Sequence, residues 1–230
     1  MIPVLFENGD LLAVNKPEGL ASIPERAKGK DSLVSLLSPE FRDRLYIVHR
    51  IDKEASGVIL FAKNAAAHRF LNEQFGTRAV RKTYLILVHG NMDERDGVID
   101  KPLRQFGSGR MGIDAKRGKP SKTGFCVLER FHSHALVEAH PVTGRRHQIR
   151  VHFCSIGHPV VGDLLYGDKA AQKQYARLML HARRLELRLP SGEDLKIEAP
   201  VPESFEEVLR SVQGGLSIPP NRLSSGPSPS

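Results

Sequence analysis

The 230-residue sequence has just two cysteines, Cys126 and Cys154. They lack any metal-type spacing, and each sits among apolar neighbours, as in "GFCVL" and "VHFCSIG". This sets aside a disulfide scaffold and a thiolate zinc site in favour of buried free thiols in a reducing compartment. No apolar run is long enough to cross a bilayer. The opening "MIPVLFENGD" has neither the basic start, the apolar stretch nor the small-residue cleavage site of a signal peptide. The expected location is therefore the cytoplasm. No internal repeat, no HExxH motif and no linker before residue 214 can be found.

What is present is a globular composition, 40% hydrophobic and 26% charged, in a chain long enough to bury a core. Lys and Arg exceed Asp and Glu by 34 to 26, a formal net charge of +8. A basic balance of this size suits a polyanionic partner, although an ordinary basic enzyme can carry it too.

The patterning mixes strands and helices. Two apolar runs flank Asn8-Gly9, a hairpin signal. "KDSLVSLLSPEF" reads as a helix, with Asp31 or Ser32 as N-cap and Leu33, Leu36 and Leu37 on one face. "GVILFAK" reads as a buried strand. Asn64 then caps a helix through His68, Leu71, Asn72 and Phe75, which Gly76 should end. "KTYLILVHG" is another buried strand, and "KTGFCVLERF" and "HALVEAHPV" form a pair. "RRHQIRVHFCSIG" fits a helix with Ile149, Phe153 and Ile156 on one face, stopped by Gly157. "LELRLPSGEDLKIEAP" is a second hairpin around Ser191-Gly192, and "PESFEEVLRSV" is a last helix. The expected fold is α+β, with a mixed, largely antiparallel sheet flanked by helices and loops. One domain should occupy residues 1–213, and residues 214–230, rich in Gly, Ser and Pro, should be disordered.

Four segments carry candidate chemistry. "YIVHRIDKEASGVILFAKN" places His49, Arg50 and Asp52 ahead of a buried strand. A carboxylate near a guanidinium has its charged form favoured, but a turn aspartate bonded to backbone N–H groups looks the same in sequence. "HPVTGRRHQIRVHF" holds Arg145, Arg146, His147, Gln148, Arg150 and His152 with no acid, at an expected helix start that could bind an anion. Its alternation with Ile149, Val151 and Phe153 marks a half-buried element. Tyr84 opens an apolar strand, as a core tyrosine or as a platform for a base, the latter worth about 1–3 kcal/mol. From Lys101 to Lys122 there are seven Lys or Arg against the single acid Asp114. A flexible loop carrying Lys116, Arg117 and Lys119 would suit phosphate contacts. His132, His134 and His140 raise a metal reading, but no carboxylate is spaced to complete a ligand set.

Six phrases together resemble the RluA-type family of pseudouridine synthases: "NKPEGL", "HRIDKEASGVILFAK", "RKTYLILVHG", "GRRHQIRVHF", "GHPVVGDLLYG" and "LMLHARRLEL". They occur in the family's order over roughly residues 4 to 200. The resemblance implies an RNA-modifying isomerase, with no cofactor and no metal. It breaks the uridine N1–C1′ bond, turns the base and rejoins it through C5. Asp52 matches the catalytic aspartate, Tyr84 the tyrosine that stacks on the base and can move a proton, and Arg145 the arginine paired with the aspartate. Leu180 matches an apolar pocket residue. Substrate contacts are expected from His49, Arg50, Arg146, Gln148, Arg150, Lys116, Arg117 and Lys119. Asp52 should then lie against Arg145, with Arg50 facing outward.

The sequence departs from the family at Ala55 and Arg146, each in place of a common Thr, and at Ile51 in place of Leu. Some members carry a small N-terminal RNA-binding domain, which this chain is expected to lack, acting on ribosomal or transfer RNA as a monomer. Two other classes are weighed against this one. They are an RNA-binding or ribosome-assembly factor with lost or incidental catalysis, and a metal-dependent nuclease built on the histidines.

Overall fold

A computed structural model describes residues 1–24, 32–37 and 45–213. In chain order the elements are β1 (Val4–Glu7), β2 (Leu11–Lys16), α1 (Leu33–Leu37), β3 (Tyr46–Ile47), β4 (Ser56–Ala62), α2 (Ala65–Gly76), β5 (Arg81–His89), β6 (Asp96–Asp100), β7 (Leu103–Gln105), β8 (Met111–Ile113), β9 (Lys122–Arg130), β10 (His134–Pro141), α3 (Gln148–Cys154), α4 (Lys169–Gln172), β11 (Leu180–Arg188), β12 (Asp194–Glu198) and α5 (Glu203–Val212). The expected tail at 214–230 and the capping role of Asp31 lie outside the described residues.

The sheet is mixed and largely antiparallel, as the patterning predicts. Its order is β1-β2-β4-β11-β5-β10-β9-β6, with β12 added on β11 and β3 on β4. The exception to antiparallel pairing is short: β11 runs parallel to β4 through His181↔Ser56 and Ala182↔Gly57. Strand β4 explains why. Every residue of "SGVILFA" is buried, so both of its faces must be covered. Val58, Leu60 and Ala62 point to one side, where Ala67 and Leu71 of α2 pack. Ile59 and Phe61 point to the other, against Leu33 and Leu37 of α1. A second core gathers on β5 and β10 with Ile149 and Phe153 of α3 and Phe205 of α5. β11 joins the two halves.

Local signals act largely where the sequence places them. Asn8 accepts the N–H groups of Asp10 and Leu11 at 2.9 and 2.8 Å and closes the first hairpin. Asn64 caps α2 by accepting the Ala67 N–H at 2.8 Å. Gly76, expected to end that helix, is its last helical residue, and the left-handed position after it is taken by Arg78 at φ 64°. The Lys101–Lys122 segment differs more. It is a built hairpin of β7 and β8, with Leu103 and Lys119 exchanging backbone bonds at 3.0 and 2.8 Å, not a flexible loop. Asp114 supplies the turn, accepting the Lys116 and Arg117 N–H groups and pairing with Arg104 at 2.9 Å.

The parallel seam depends on one residue. Gly57 has φ +113°, and a Cβ there would stand 2.2 Å from the Ala182 carbonyl oxygen. Both the backbone angle and the contact exclude a side chain. Gly57→Ala should lower the unfolding free energy by about 3 kcal/mol or more, read from urea denaturation. A loss below about 1 kcal/mol would show that the seam can open at little cost.

Candidate active site

Asp52 leads a tight turn: its carbonyl accepts the Ala55 N–H at 3.1 Å. The backbone around it is pinned from outside. Ser22 donates to the Ile51 carbonyl at 2.9 Å. Lys16, fully buried, donates through Nζ to the carbonyls of Pro17, Leu20 and Lys53 at 2.8, 2.8 and 3.0 Å. Three carbonyls gathered on one ammonium are the means by which a buried lysine stays charged. Burial still pulls its pKa down to about 8, against the pull of Glu54, Asp52 and Glu18 the other way.

The guanidinium on Asp52 is that of Arg150. Nη1 donates to Asp52 Oδ2 at 3.2 Å and lies 3.6 Å from Glu54 Oε2. The other edge of the same guanidinium makes a two-pronged contact with buried Asp163, from Nε and Nη2, both at 2.8 Å. Asp163 Oδ1 also accepts the Leu165 and Tyr166 N–H groups at 2.9 and 3.1 Å. Burial disfavours the charge on Arg150, but the hydrogen bonds and charge of Asp163, with those of Asp52, outweigh it and raise the pKa.

This corrects the expected partner. Arg145 is exposed and forms no ion pair among the described residues. The reason is a break in the backbone: His147 is left-handed, φ 53°, and α3 begins only at Gln148. Arg145 and Arg146 therefore precede the helix instead of sharing its inner face. Arg146 leans on the β7–β8 hairpin, donating to the Gly109 carbonyl at 3.4 Å. The left-handed turn brings His147 into the site. Its Nε2 is 4.0 Å from Asp52 Oδ1, and its Nδ1 is 2.7 Å from the Tyr166 hydroxyl. That hydroxyl accepts the Met111 N–H at 3.0 Å. The Tyr166 ring is flanked by the guanidinium carbons of Arg150 and Arg110, 5.2 and 5.5 Å from its centroid. Burial chiefly, and the charges of Arg150 and Arg146, lower the His147 pKa against the pull of Asp52 and Glu54.

Tyr84 stands on β5 opposite Ala182 and Ala139. Burial, and then the Asp52 charge, push its phenol pKa up, so its proton stays in place through neutral pH. Leu180 belongs to the core against which Tyr84 packs.

The remaining expected contacts divide. Arg50, Lys116, Arg117 and Lys119 are exposed. His49 faces inward: its Nε2 accepts the Leu60 N–H at 3.0 Å, and its ring stacks on Phe75. Burial, then Lys82, drop its pKa to about 3, so it is neutral. Gln148 is buried, with its amide used on Thr143, the Arg145 N–H, the Lys122 carbonyl and Thr123. It closes the turn that was expected to take an anion. Among the described residues no group of three His, Cys, Asp or Glu could hold a metal ion. Sequence reasoning missed Lys16, His147, Asp163 and Tyr166 as members of the site. All four lie inside quoted phrases. The signal was there in a lysine at the end of an apolar strand and an acid near an arginine-rich helix.

The site thus joins a carboxylate clamped by a buried guanidinium to a buried tyrosine that feels its charge. The family model described as RNA pseudouridylate synthase matches residues 10–155. Ribosomal large subunit pseudouridine synthase C of Pasteurella multocida is 39% identical over 221 residues, 91% of this chain and 68% of that protein. The dual-specificity RNA pseudouridine synthase RluA of Vibrio parahaemolyticus is 39% identical over 84% of this chain and 80% of its own length. Among solved structures, human RNA pseudouridylate synthase domain containing 1 has a TM-score of 0.78 and 29% identity, covering 100% of this chain and 97% of that one. The chain belongs to the RNA pseudouridylate synthase family. It is an isomerase of uridine in RNA.

Two predictions follow from the geometry. Arg150→Lys should cost about 10²-fold or more in turnover, since it unpairs buried Asp163 and frees Asp52. Arg145→Lys should stay near wild type in the same pseudouridine-formation assay. The second concerns Lys16. Its folded pKa of about 8 lies below the ordinary lysine value of 10.5. Between those values the unfolded chain binds more protons, so the penalty of holding Lys16 charged is fully present below pH 8 and is relieved as pH rises towards 10.5. Urea unfolding across this window should show stability rising relative to the Lys16→Met variant.

Proposed function

We propose that this enzyme converts uridines flipped out of ribosomal or transfer RNA into pseudouridine, acting as a monomer with Asp52 as the reacting carboxylate. The observation that carries this reading is the clamp. Asp52 Oδ2 is held by Arg150, while Oδ1 faces His147 at 4.0 Å. One oxygen is thereby left to act at the sugar.

The reaction asks for little else. Cleavage of N1–C1′ leaves positive character at C1′, which an ionised carboxylate stabilises or captures. Removal of the C2′ proton to give a glycal would use the same oxygen. The base then turns so that C5 meets C1′, the new bond forms, and the C5 proton is lost. Tyr84 lies under the charge of Asp52 with its hydroxyl protonated, so it serves as a stacking face and as a donor or relay, not as a free phenolate. Arg150 takes the role that the resemblance gives to Arg145. It keeps Asp52 ionised when the base displaces water.

Flipping the uridine costs a few kcal/mol, and contacts to the phosphates offset it. Exposed Arg50, Arg145, Lys116, Arg117 and Lys119 supply those contacts in this reading. An assembly factor without catalysis would have no need of a buried Arg150 held between two aspartates.

Pseudouridine mapping of total RNA, with and without this protein, tests the reading and names the target. One or more modified positions should disappear without it, return with the wild type, and stay absent with Asp52→Asn. That variant should keep a melting temperature and RNA affinity close to wild type. An Asp52→Asn protein that restores modification would remove Asp52 from the chemistry, and an unchanged map would favour the assembly factor.

A further inference from the structure

Lys82 lies two residues before Tyr84 on β5, and side chains at that spacing share a face of the strand. Thr83 between them points the other way and is buried, with its hydroxyl 3.5 Å from His140 Nδ1. β5 runs without a bulge here, since the register shift beside it falls in β11, between Ala182 and Arg184. Lys82 thus extends along the wall that carries the active-site tyrosine.

Its surroundings are unusual for a lysine. The ammonium faces the open side of Gly144, 4.0 Å from the point that a Cβ there would occupy. Gly144 directly precedes Arg145, on the arginine-rich stretch that leads into α3. His49 is a further neighbour; it is neutral, and Lys82 lowers its pKa. Among the described residues Lys82 has no hydrogen bond and no carboxylate within 4.0 Å. Other half-buried or buried lysines do find partners: Lys16 has three carbonyls, Lys63 has Glu7 and Lys101 has the Ser155 carbonyl. Burial lowers the Lys82 pKa, with no acid to oppose it. A half-desolvated cation without a protein anion is a cost to the free protein that an anionic ligand can repay.

We propose that Lys82 binds the backbone phosphate of the flipped uridine or of its immediate neighbour, at a subsite formed by Lys82 and the Gly144–Arg145 backbone beside Tyr84. The inference rests on the reading of the site as a uridine-isomerising one. The only anionic group of an RNA chain is its phosphodiester, and a nucleotide whose base reaches Tyr84 must bring its own linkage to the same wall. The compact ammonium can approach that linkage closely, and the missing side chain at Gly144 leaves the approach open. Lys82 would then hold the target nucleotide, whereas the exposed arginines and lysines of the rim hold the flanking strand.

The test uses the full chain and an oligoribonucleotide containing the mapped uridine, made with phosphodiester linkages throughout or with one neutral methylphosphonate on either side of the target. Lys82→Met should raise KM about tenfold with little change in kcat, as expected for the loss of one charge-assisted contact. It should also reduce the log–log salt slope of binding by about 0.7. Lys82→Arg should recover much of the affinity. One neutral linkage should weaken wild-type binding by a similar factor and leave Lys82→Met unaffected. Losses that simply multiply in the variant would overturn the subsite, as would an unchanged KM in a folded Lys82→Met protein. A wild-type protein that forms no pseudouridine in the mapped RNA would instead overturn the functional reading beneath it.

Discussion

Arg150 carries one charge and faces two aspartates, and the geometry of the site follows from how it divides itself between them. Asp163 takes the stronger share, two bonds at 2.8 Å in a fully buried setting. Asp52 receives one at 3.2 Å and keeps some access to solvent. The division is unequal for a reason that suits chemistry. A guanidinium fixed by its inner partner has its remaining N–H group already aimed, so orienting it costs nothing when the substrate arrives. Tyr166 and His147 complete the frame, one stacked on the guanidinium and the other facing the free oxygen of Asp52. Removing Asp163 would leave a charged arginine without its anchor in a buried place, which is costly in a way that removing a surface partner is not.

That frame exists because two half-cores meet at one seam. Asp52 lies in the turn that leads into β4, and Arg150 lies on α3, which packs on β5 and β10. Their contact spans 98 residues of sequence. It is held in register by the two parallel pairs between β4 and β11 and by the close approach at Gly57. Below the seam, Ser56 meets His181 at 2.9 Å and accepts from Arg177 at 2.7 Å. Arg177 in turn reaches Ser204 and Glu18. The bond network therefore ties β4, β11, α5 and the segment after β2 together.

Much of this was legible in the sequence. The two hairpins, the buried strands, the Asn64 cap and the mixed sheet all follow from periodicity and turn residues, because each is decided by a few neighbouring positions. The partner of Asp52 was not legible in that way. Arg145, Arg146 and Arg150 look alike in composition, and it is the family resemblance that points to Arg145. The left-handed residue that starts α3 late is His147, a residue type that gives no such warning. Gln148 and His49 are hard to place for a related reason: a polar residue within a basic motif looks the same in sequence whether it faces a ligand or, as here, bonds backbone groups. The basic segment after Lys101 looks loose in sequence because it is rich in glycine and charge. Its order comes from Asp114 and from pairing with Lys119, contacts that strand periodicity over three-residue elements cannot announce.

The placement of charge also sorts the substrate by polarity. At the floor of the site Asp52 and Asp163 share the single guanidinium of Arg150, while the rim carries exposed arginines and lysines. A phosphate moving past Lys82 towards that floor would meet two carboxylates that one arginine already shares, and an uncharged base would meet no such barrier. In the function proposed above, these acids act as a turnstile as well, admitting a nucleotide base-first and holding its backbone at the threshold.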